Sequence, residues 1–298
     1  MKTAPIGKLF CFGFGYCAQE LARRLNPRGV RIAGTCRNPS GWTRLSLRGI
    51  EMHLFDGTRP LEDFGAALGD ADAILVSIPP GPEGDPVLAF HDPDLRRCRN
   101  LRWVGYLSTT GVYGDRAGGW VDETADLQPA GERGARRAQA EAGWLSLWRE
   151  AGLPVHVFRL AGIYGPGQNQ LVSILSGRAQ RVVKPGQVFS RIHVSDIAAV
   201  LEASMARPNP GAIYNVCDDE PAPPQDVIAH AARLLGREPP PEIPFEQAEL
   251  SPMGRSFYAE NKRVSNRRIK DELGVRLLYP TYREGLAALL ADERESAR

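Results

Sequence analysis

The sequence predicts an α/β fold built on a doubly wound parallel sheet. Apolar segments of strand length occur at residues 8–12, 30–35, 50–55, 72–78, 101–108 and 154–160. Between several of them lie segments with the 3.6-residue period of amphipathic helices, at residues 17–26, 61–69 and 134–150. Strand and helix in alternation favour parallel strands joined by right-handed crossovers.

The bulk composition is that of a water-soluble globular protein. The 298 residues are 43% apolar and 24% charged, and 37 basic against 35 acidic residues leave a net charge of +2. Because a nearly balanced chain projects little long-range field, neither nucleic acid nor a membrane is an expected partner. The five cysteines include no Cys-x-x-Cys and the five histidines are scattered, so neither a disulfide framework nor a metal site is predicted. No apolar stretch near the N-terminus is long enough to span a bilayer, and a cytoplasmic location is expected.

The first strand leads into a glycine turn that predicts a dinucleotide site. Gly13 permits a tight turn, Gly15 lets the backbone approach a pyrophosphate, and Ala18 is small enough for the following helix to pack on the strand. The N–H groups at the helix start would then bind the anion. This strand–turn–helix setting favours a Rossmann site over a plain glycine-rich turn. The predicted contacts are Gly13, Phe14, Gly15, Tyr16, Cys17 and Ala18.

The end of the second strand indicates which dinucleotide is bound. Sites for NAD usually place Asp or Glu about 20 residues after the turn, where it binds the ribose 2′-hydroxyl. Here Arg37 occupies that region, and a guanidinium matches a 2′-phosphate with paired hydrogen bonds. The predicted cofactor is therefore NADP(H), with a solvated surface arginine as the alternative. Asp56, which follows the third strand, is either an adenine-side contact or a turn-capping residue.

The amino-acid composition of the chain changes after about residue 165. Proline and glycine become frequent, and helical periods recur at 196–206, 225–236 and 281–292. We expect residues 1–164 to form the NADP(H)-binding domain, with residues 190–218 returning to it. Residues 165–189 and 219–298 would form a smaller C-terminal α/β substrate lobe over the carboxyl edge of the sheet, where ligands of such folds bind.

Four further segments carry a family resemblance. They read LSTTGVYG at 107–114, RLAGIYGPG at 159–167, RIHVSDIA at 191–198 and IYNVCDDE at 213–220. In this order they resemble the extended short-chain dehydrogenase/reductase superfamily, of the NAD-dependent epimerase/dehydratase kind. The resemblance implies a Rossmann domain with a C-terminal substrate lobe.

The resemblance also implies roles for individual residues. Thr109 matches the Ser/Thr that hydrogen-bonds the reacting oxygen of the substrate, and Tyr113 is a second catalytic candidate. His193 and Asp196 match a structural link between the lobes. The remaining matches border the cofactor: Ser77, Ile78, Pro79, Ser108, Leu160, Ala161, Gly162 and Ile163.

The chain departs from the family at its Tyr-x-x-x-Lys pair. Aligning the flanking Pro129 and Glu141 puts Arg133 at the tyrosine position and Arg137 at the lysine position. Arginine does not deprotonate in proteins, so it cannot serve as the general acid or base. This resembles the atypical subgroup of the superfamily, and the two arginines are candidates for holding an anionic substrate.

Two further candidate features lie outside that helix. Arg191 is a further candidate for binding an anionic substrate group. The one literal Tyr-x-x-x-Lys, from Tyr258 to Lys262, lies in the C-terminal lobe and is interpreted as a chance match.

Two functions follow from these features. The first is an NADP-dependent oxidoreductase or epimerase that acts on a small sugar-like or anionic molecule. The alternative is a non-catalytic NADP(H) sensor that binds a protein partner. A homodimer formed through the helix that carries Trp144 and Trp148 is a third possibility, against packing of the same stripe on the sheet.

Overall fold

The fold is described from a computed structural model that covers residues 6–38, 40, 43 and 49–296. The strands in chain order are β1 (Lys8–Phe12), β2 (Arg31–Cys36), β3 (Glu51–Leu54), β4 (Ala73–Val76), β5 (Trp103–Thr109), β6 (Trp120–Val121), β7 (Val155–Leu160), β8 (Gly162–Tyr164), β9 (Arg181–Val183), β10 (Arg191–His193), β11 (Ile213–Val216), β12 (Glu242–Pro244) and β13 (Arg263–Val264). The α-helices are α1 (Tyr16–Leu25), α2 (Phe64–Leu68), α3 (Pro86–Arg97), α4 (Glu132–Ala151), α5 (Gln170–Leu175), α6 (Val194–Ala206), α7 (Pro224–Leu234), α8 (Pro252–Phe257), α9 (Arg267–Asp271) and α10 (Tyr282–Ser296).

The described strands include a seven-stranded sheet in the order β11–β7–β5–β4–β1–β2–β3. Every neighbouring pair is parallel. Helices α1 and α6 contribute to the apolar core on one face, and α2, α3 and α4 to the core on the other. The predicted doubly wound α/β fold is confirmed.

Burial on both faces explains why the central strands read as continuous apolar runs. All residues of β1, β4 and β7 are buried. Regular polar alternation would place uncompensated groups in one of the two cores, and the exceptions in β7, His156 and Arg159, are buried with hydrogen-bond partners. The six predicted strands correspond to β1–β5 and β7 of the sheet.

Helix α3 was not predicted from the sequence. Its interior contains Pro93, which interrupts the helical pattern that the sequence analysis used. Asp85 nevertheless starts the helix, because its side chain accepts hydrogen bonds from the N–H groups of Val87 and Leu88. His91, Val87 and Leu95 then bury one face.

The C-terminal part of the chain forms its own small core. Tyr164, Leu171, Val227, Tyr282 and Leu286 are buried together in it, and they come from β8, α5, α7 and α10. Three short parallel pairs, β8 with β10, β9 with β12 and β6 with β13, surround this region. Strand β11 and helix α6, by contrast, belong to the main sheet and its core. Among the described residues, no helix is long and apolar enough to cross a membrane.

Candidate dinucleotide site and active site

The strand order places the glycine turn at the point where the chain switches direction. From β1 the chain runs outward to β2 and β3, and then returns to β4 on the other side of β1. Ligands of open α/β sheets bind beyond the carboxyl ends of the strands at such a switch point. The residues predicted to form the site lie at or just after the carboxyl ends of strands in this sheet. They are the turn, Arg37, Asp56, the 77–79 segment, Thr109 and the 161–163 segment.

The geometry of Gly13 requires glycine. Its φ is +84°, and a Cβ there would lie 2.8 Å from Cγ1 of Ile78 and 3.0 Å from Oγ of Ser77. The N–H of Gly13 donates to Oγ1 of Thr35 at 2.8 Å, and Ser77 donates its hydroxyl to the Gly13 carbonyl. The turn is therefore held from β2 on one side and from the end of β4 on the other.

Gly15 faces open space instead. No atom lies within 4 Å of a Cβ built there. Gly15 is also the N-cap of α1, and no side chain caps that helix end. The first-turn N–H groups are thus not satisfied by side chains and border free space, which fits the pyrophosphate of a dinucleotide. Ala18 and Cys17 are buried beneath the turn, as the small-residue position requires.

The ends of β2 and β3 border the predicted adenine side of the crevice. Arg37 is exposed, and no ion pair or hydrogen bond of its guanidinium occurs within the described ranges. The Asp56 carboxylate accepts bonds from the N–H and hydroxyl of Thr58, and these bonds lower its pKa. This is the turn-capping geometry that the sequence left open as an alternative for Asp56.

The residues after β7 border the predicted nicotinamide side of the crevice. Leu160 and Ala161 are buried, whereas Gly162 and Ile163 are exposed. Tyr16 reaches across from the start of α1, since its hydroxyl donates to the carbonyl of Pro166 at 3.0 Å. The loop after β8 is thereby tied to the phosphate turn.

Thr109 lies at the carboxyl end of β5 with its hydroxyl available to a ligand. Its Oγ1 accepts a hydrogen bond from the N–H of Gly111 at 3.1 Å. The hydroxyl proton is therefore free to point at an oxygen in the crevice. The predicted catalytic role of Thr109 is compatible with this placement.

Tyr113 and Ser108 are occupied by a buried network. Tyr113 is fully buried, and its hydroxyl donates to Asn215 at 2.7 Å and accepts from Arg159 at 2.9 Å. Ser108 donates to Glu141, which forms an ion pair with Arg159 at 2.8 Å. Burial raises the pKa of Tyr113. This geometry favours a structural role for both residues over the catalytic and cofactor contacts expected of them.

Arg133 and Arg137 lie one turn apart on α4 but make different contacts. Arg137 donates to the Leu107 carbonyl at 2.6 Å and to the Tyr106 hydroxyl at 3.1 Å, both on β5. Arg133 is exposed and stacks over the Phe257 ring at 5.5 Å. One arginine therefore supports the end of β5, and the other faces Phe257 at the end of α8.

Arg191 is buried beside the predicted nicotinamide loop. It pairs with Gly162 in the ladder between β10 and β8, and its guanidinium donates to the carbonyls of Phe189 and Ala222. Burial lowers the pKa of Arg191. Asp218 is buried nearby with one unpaired carboxylate oxygen, and burial raises its pKa to about 8.

The segment from residue 258 to 264, interpreted from the sequence only as a chance Tyr-x-x-x-Lys match, bonds to the turn and loop that follow β5. Lys262 is buried, donates to the Gly114 carbonyl at 2.9 Å and forms an ion pair with Glu260. Tyr258 follows α8 and Lys262 precedes β13, so the literal Tyr-x-x-x-Lys is not on one helix face. Within the described part of the chain, no cluster of three or more His, Cys, Asp or Glu side chains could hold a metal ion.

Comparison with known proteins agrees with this architecture. The sequence model of the NAD-dependent epimerase/dehydratase family matches residues 95–217. Protein YeeZ of Escherichia coli (strain K12) is 29% identical over 283 residues, which cover 92% of this chain and 96% of the relative.

Solved structures are similar over nearly the whole chain. A functionally unknown conserved protein from Silicibacter pomeroyi DSS is 55% identical, with a TM-score of 0.88 over 96% of this chain and 99% of that one. The UDP-glucuronic acid 4-epimerase of Bacillus cereus, solved with UDP-glucuronic acid and NAD, is 16% identical, with a TM-score of 0.76 over 97% of this chain and 99% of that one.

The fold is shared with the Bacillus cereus epimerase, and the family match covers residues 95–217. The chain is therefore similar to proteins of the NAD-dependent epimerase/dehydratase family, which are of the extended short-chain dehydrogenase/reductase type.

Proposed function

We propose that this protein binds a nicotinamide dinucleotide, NADP(H) in preference to NAD(H). The observation that carries the proposal is the uncapped start of α1 beneath Gly15, which borders open space at the switch point of the sheet. Arg37 at the end of β2 supports the preference for the phosphorylated form, since its guanidinium is exposed on the adenine side.

We further propose that the protein is an oxidoreductase or epimerase acting on a small sugar-like or anionic substrate. The dinucleotide, when bound, supplies the hydride acceptor or donor. Thr109 would hold the reacting oxygen, and Arg133 or Arg191 would hold an anionic part of the substrate. The substrate lobe supports this proposal, and so does the Bacillus cereus epimerase, which shares the fold and was solved with a nucleotide sugar and NAD.

A dinucleotide sensor is the second candidate function. It is favoured by the contacts of α4, a helix without tyrosine in which Arg137 is engaged with the Leu107 carbonyl. A protein partner retained only when NADP(H) is present would support the sensor. Turnover of any substrate with wild-type dinucleotide binding would favour the enzyme.

The cofactor proposal is tested by comparing NADPH with NADH. A phosphate contact of this kind contributes about 1.5–3 kcal/mol, or roughly 10- to 150-fold in affinity. We expect tighter binding of NADPH by that factor, measured by fluorescence titration, and loss or reversal of the difference in Arg37→Glu. The control is Arg99→Glu, at an exposed loop position before the amino end of β5. Equal affinities in the wild type would contradict the assignment of Arg37.

A further inference from the structure

The 258–264 segment connects the two lobes at the mouth of the crevice. The N–H of Asn261 donates to the Asp115 carboxylate at 2.8 Å, and the Asn261 carbonyl accepts from Arg116 at 2.9 Å. On the other side, Gln187 donates to the Glu260 carbonyl at 2.7 Å. The segment is thus fixed by backbone contacts from both sides, which determines where its side chains lie.

The Glu260 carboxylate and the Thr109 hydroxyl both approach Gly111. A Cβ built on Gly111 would be 3.5 Å from Oγ1 of Thr109 and 4.0 Å from Oε2 of Glu260. Both oxygens therefore lie within 4.0 Å of one point next to the 3-10 turn that follows β5.

Lys262 holds the Glu260 carboxylate in this position. The Lys262 side chain is 9% exposed and the Glu260 side chain 21% exposed, so the ion pair is largely shielded from water. The second hydrogen bond of Lys262, to the Gly114 carbonyl, fixes the ammonium itself. These two contacts fix the position of the carboxylate, and a proton-transferring group has to be fixed within hydrogen-bond reach of the proton that it moves.

We propose that Glu260 is the proton-transferring group of this active site, with Lys262 as its positioning residue. The proposal rests on the proposed dinucleotide-dependent function, and it supplies the acid or base that α4 lacks. In the oxidative direction, the proton of a secondary hydroxyl on the substrate goes to the Glu260 carboxylate. The hydride from the same carbon is taken up by the oxidised dinucleotide, and the resulting carbonyl accepts a hydrogen bond from Thr109.

Other charged groups lie on this segment or on the elements around it. They are Lys262, Arg263, Asp115, Arg116, Lys184 and Arg133. A role in proton transfer is separated from a role in folding by the variant Glu260→Asp, which retains a carboxylate, and by Glu260→Gln, which retains the size.

The first experiment uses turnover. Wild type, Glu260→Gln, Glu260→Asp and the exposed control Glu249→Gln are assayed with NADP⁺ against simple secondary alcohols, UDP-glucose and UDP-glucuronic acid. We expect Glu260→Gln to lower kcat at least about 100-fold with KM and NADP⁺ affinity nearly unchanged, and to remove the ionisation from the pH profile. Glu260→Asp should recover part of kcat, and Lys262→Met should lower kcat less than Glu260→Gln.

The second experiment requires no substrate. In protein labelled with ¹³C at the glutamate carboxyl carbons, the signal that Glu260→Gln removes is assigned to Glu260. We expect this signal, but not that of Glu249, to shift when NADP⁺ is added at constant pH, because the cationic nicotinamide ring would lie close by.

The outcomes distinguish this inference from the proposed function. The role of Glu260 is overturned if kcat of Glu260→Gln lies within about 3-fold of the wild-type kcat, or if bound NADP⁺ does not shift the Glu260 signal. Either result leaves the cofactor assignment intact. Failure of the wild type to bind either dinucleotide overturns both. If Glu260→Gln does not fold, the double variant Glu260→Gln/Lys262→Met removes the unpaired lysine and is assayed in its place.

Discussion

Gly13 and Gly15 belong to one sequence motif but meet different physical demands. Gly13 adopts a positive φ and has no room for a side chain, so its requirement is a requirement of the fold. Gly15 has an ordinary φ of −88° and open space around it, so only a ligand would need that space. We therefore expect Gly13 to be required for stability, and Gly15 to be required for binding.

Alanine substitution at the two glycines should separate these demands. Gly13→Ala should lower the free energy of unfolding by about 2–4 kcal/mol, from the left-handed backbone and the displacement of Ile78. Gly15→Ala should leave stability within about 0.5 kcal/mol of wild type but weaken NADPH binding at least about 10-fold. Denaturant unfolding and fluorescence titration measure the two quantities. Strong NADPH binding by Gly15→Ala would move the pyrophosphate away from this turn.

At the scale of elements, helix α4 is fixed to the sheet by a buried ion pair. Glu141 on α4 and Arg159 on β7 are 2% and 3% exposed, and three hydrogen bonds join them. Ser108 and Tyr113 bind the same pair from the β5 side. Two strands and one helix therefore depend on one charge pair directly beneath Thr109.

Removing one partner of this pair should lower the free energy of unfolding much more than breaking an exposed ion pair on the same helix. Glu141→Gln leaves Arg159 buried without a counter-charge, and we expect a loss of about 3–5 kcal/mol in the free energy of unfolding. The matched control is Glu132→Gln, which breaks the pair with Arg136 at the exposed start of α4 and should cost less than about 1 kcal/mol. Similar losses in urea unfolding for both variants would contradict a structural role for the buried pair.

The sequence predicted elements whose signals are local. The central strands were visible because burial on both faces favours apolar runs, and the edge strand β3 because of the short segment at 50–55. The glycine turn was visible because its three positions lie within six residues. Helix α3 was hidden by Pro93, and the engagement of Tyr113 by Arg159 and Asn215 leaves no local pattern. Glu260 was missed because the contact that positions it is long-range. Lys262 donates to the Gly114 carbonyl, 148 residues earlier in the chain, and this contact brings Glu260 toward Thr109.

At the scale of the whole molecule, polar contacts join the two lobes around the crevice. The Asp196 carboxylate on α6 accepts the N–H groups of Leu278 at 2.6 Å and Tyr279 at 3.1 Å. Tyr16 reaches Pro166 on the opposite side of the crevice. The Asp196 contacts are compatible with the link between lobes that the resemblance implies, whereas His193 accepts the N–H of Ser195 and so caps its own helix.

Asp218, which follows β11 where the chain leaves the main sheet, should make the stability of the whole molecule depend on pH. Burial raises its pKa to about 8 in the folded protein, against about 3.9 in an unfolded chain. The folded state therefore holds the extra proton between these values, and this contribution to stability is full below pH 4 and lost as the pH rises through 8. Asp218→Asn imitates the protonated form at every pH. We expect the free energy of unfolding of the wild type, relative to Asp218→Asn, to fall by at least about 2 kcal/mol from pH 4.5 to pH 9.

Taking the difference between the two proteins removes the opposing contribution of His156, whose pKa burial lowers to about 4 and which is common to both. Denaturant unfolding across this range measures the difference, with Asp226→Asn on the exposed surface of α7 as a control that should show no such slope. A difference that stays constant with pH would mean that Asp218 remains ionised in the folded protein, with Arg191 as its counter-charge.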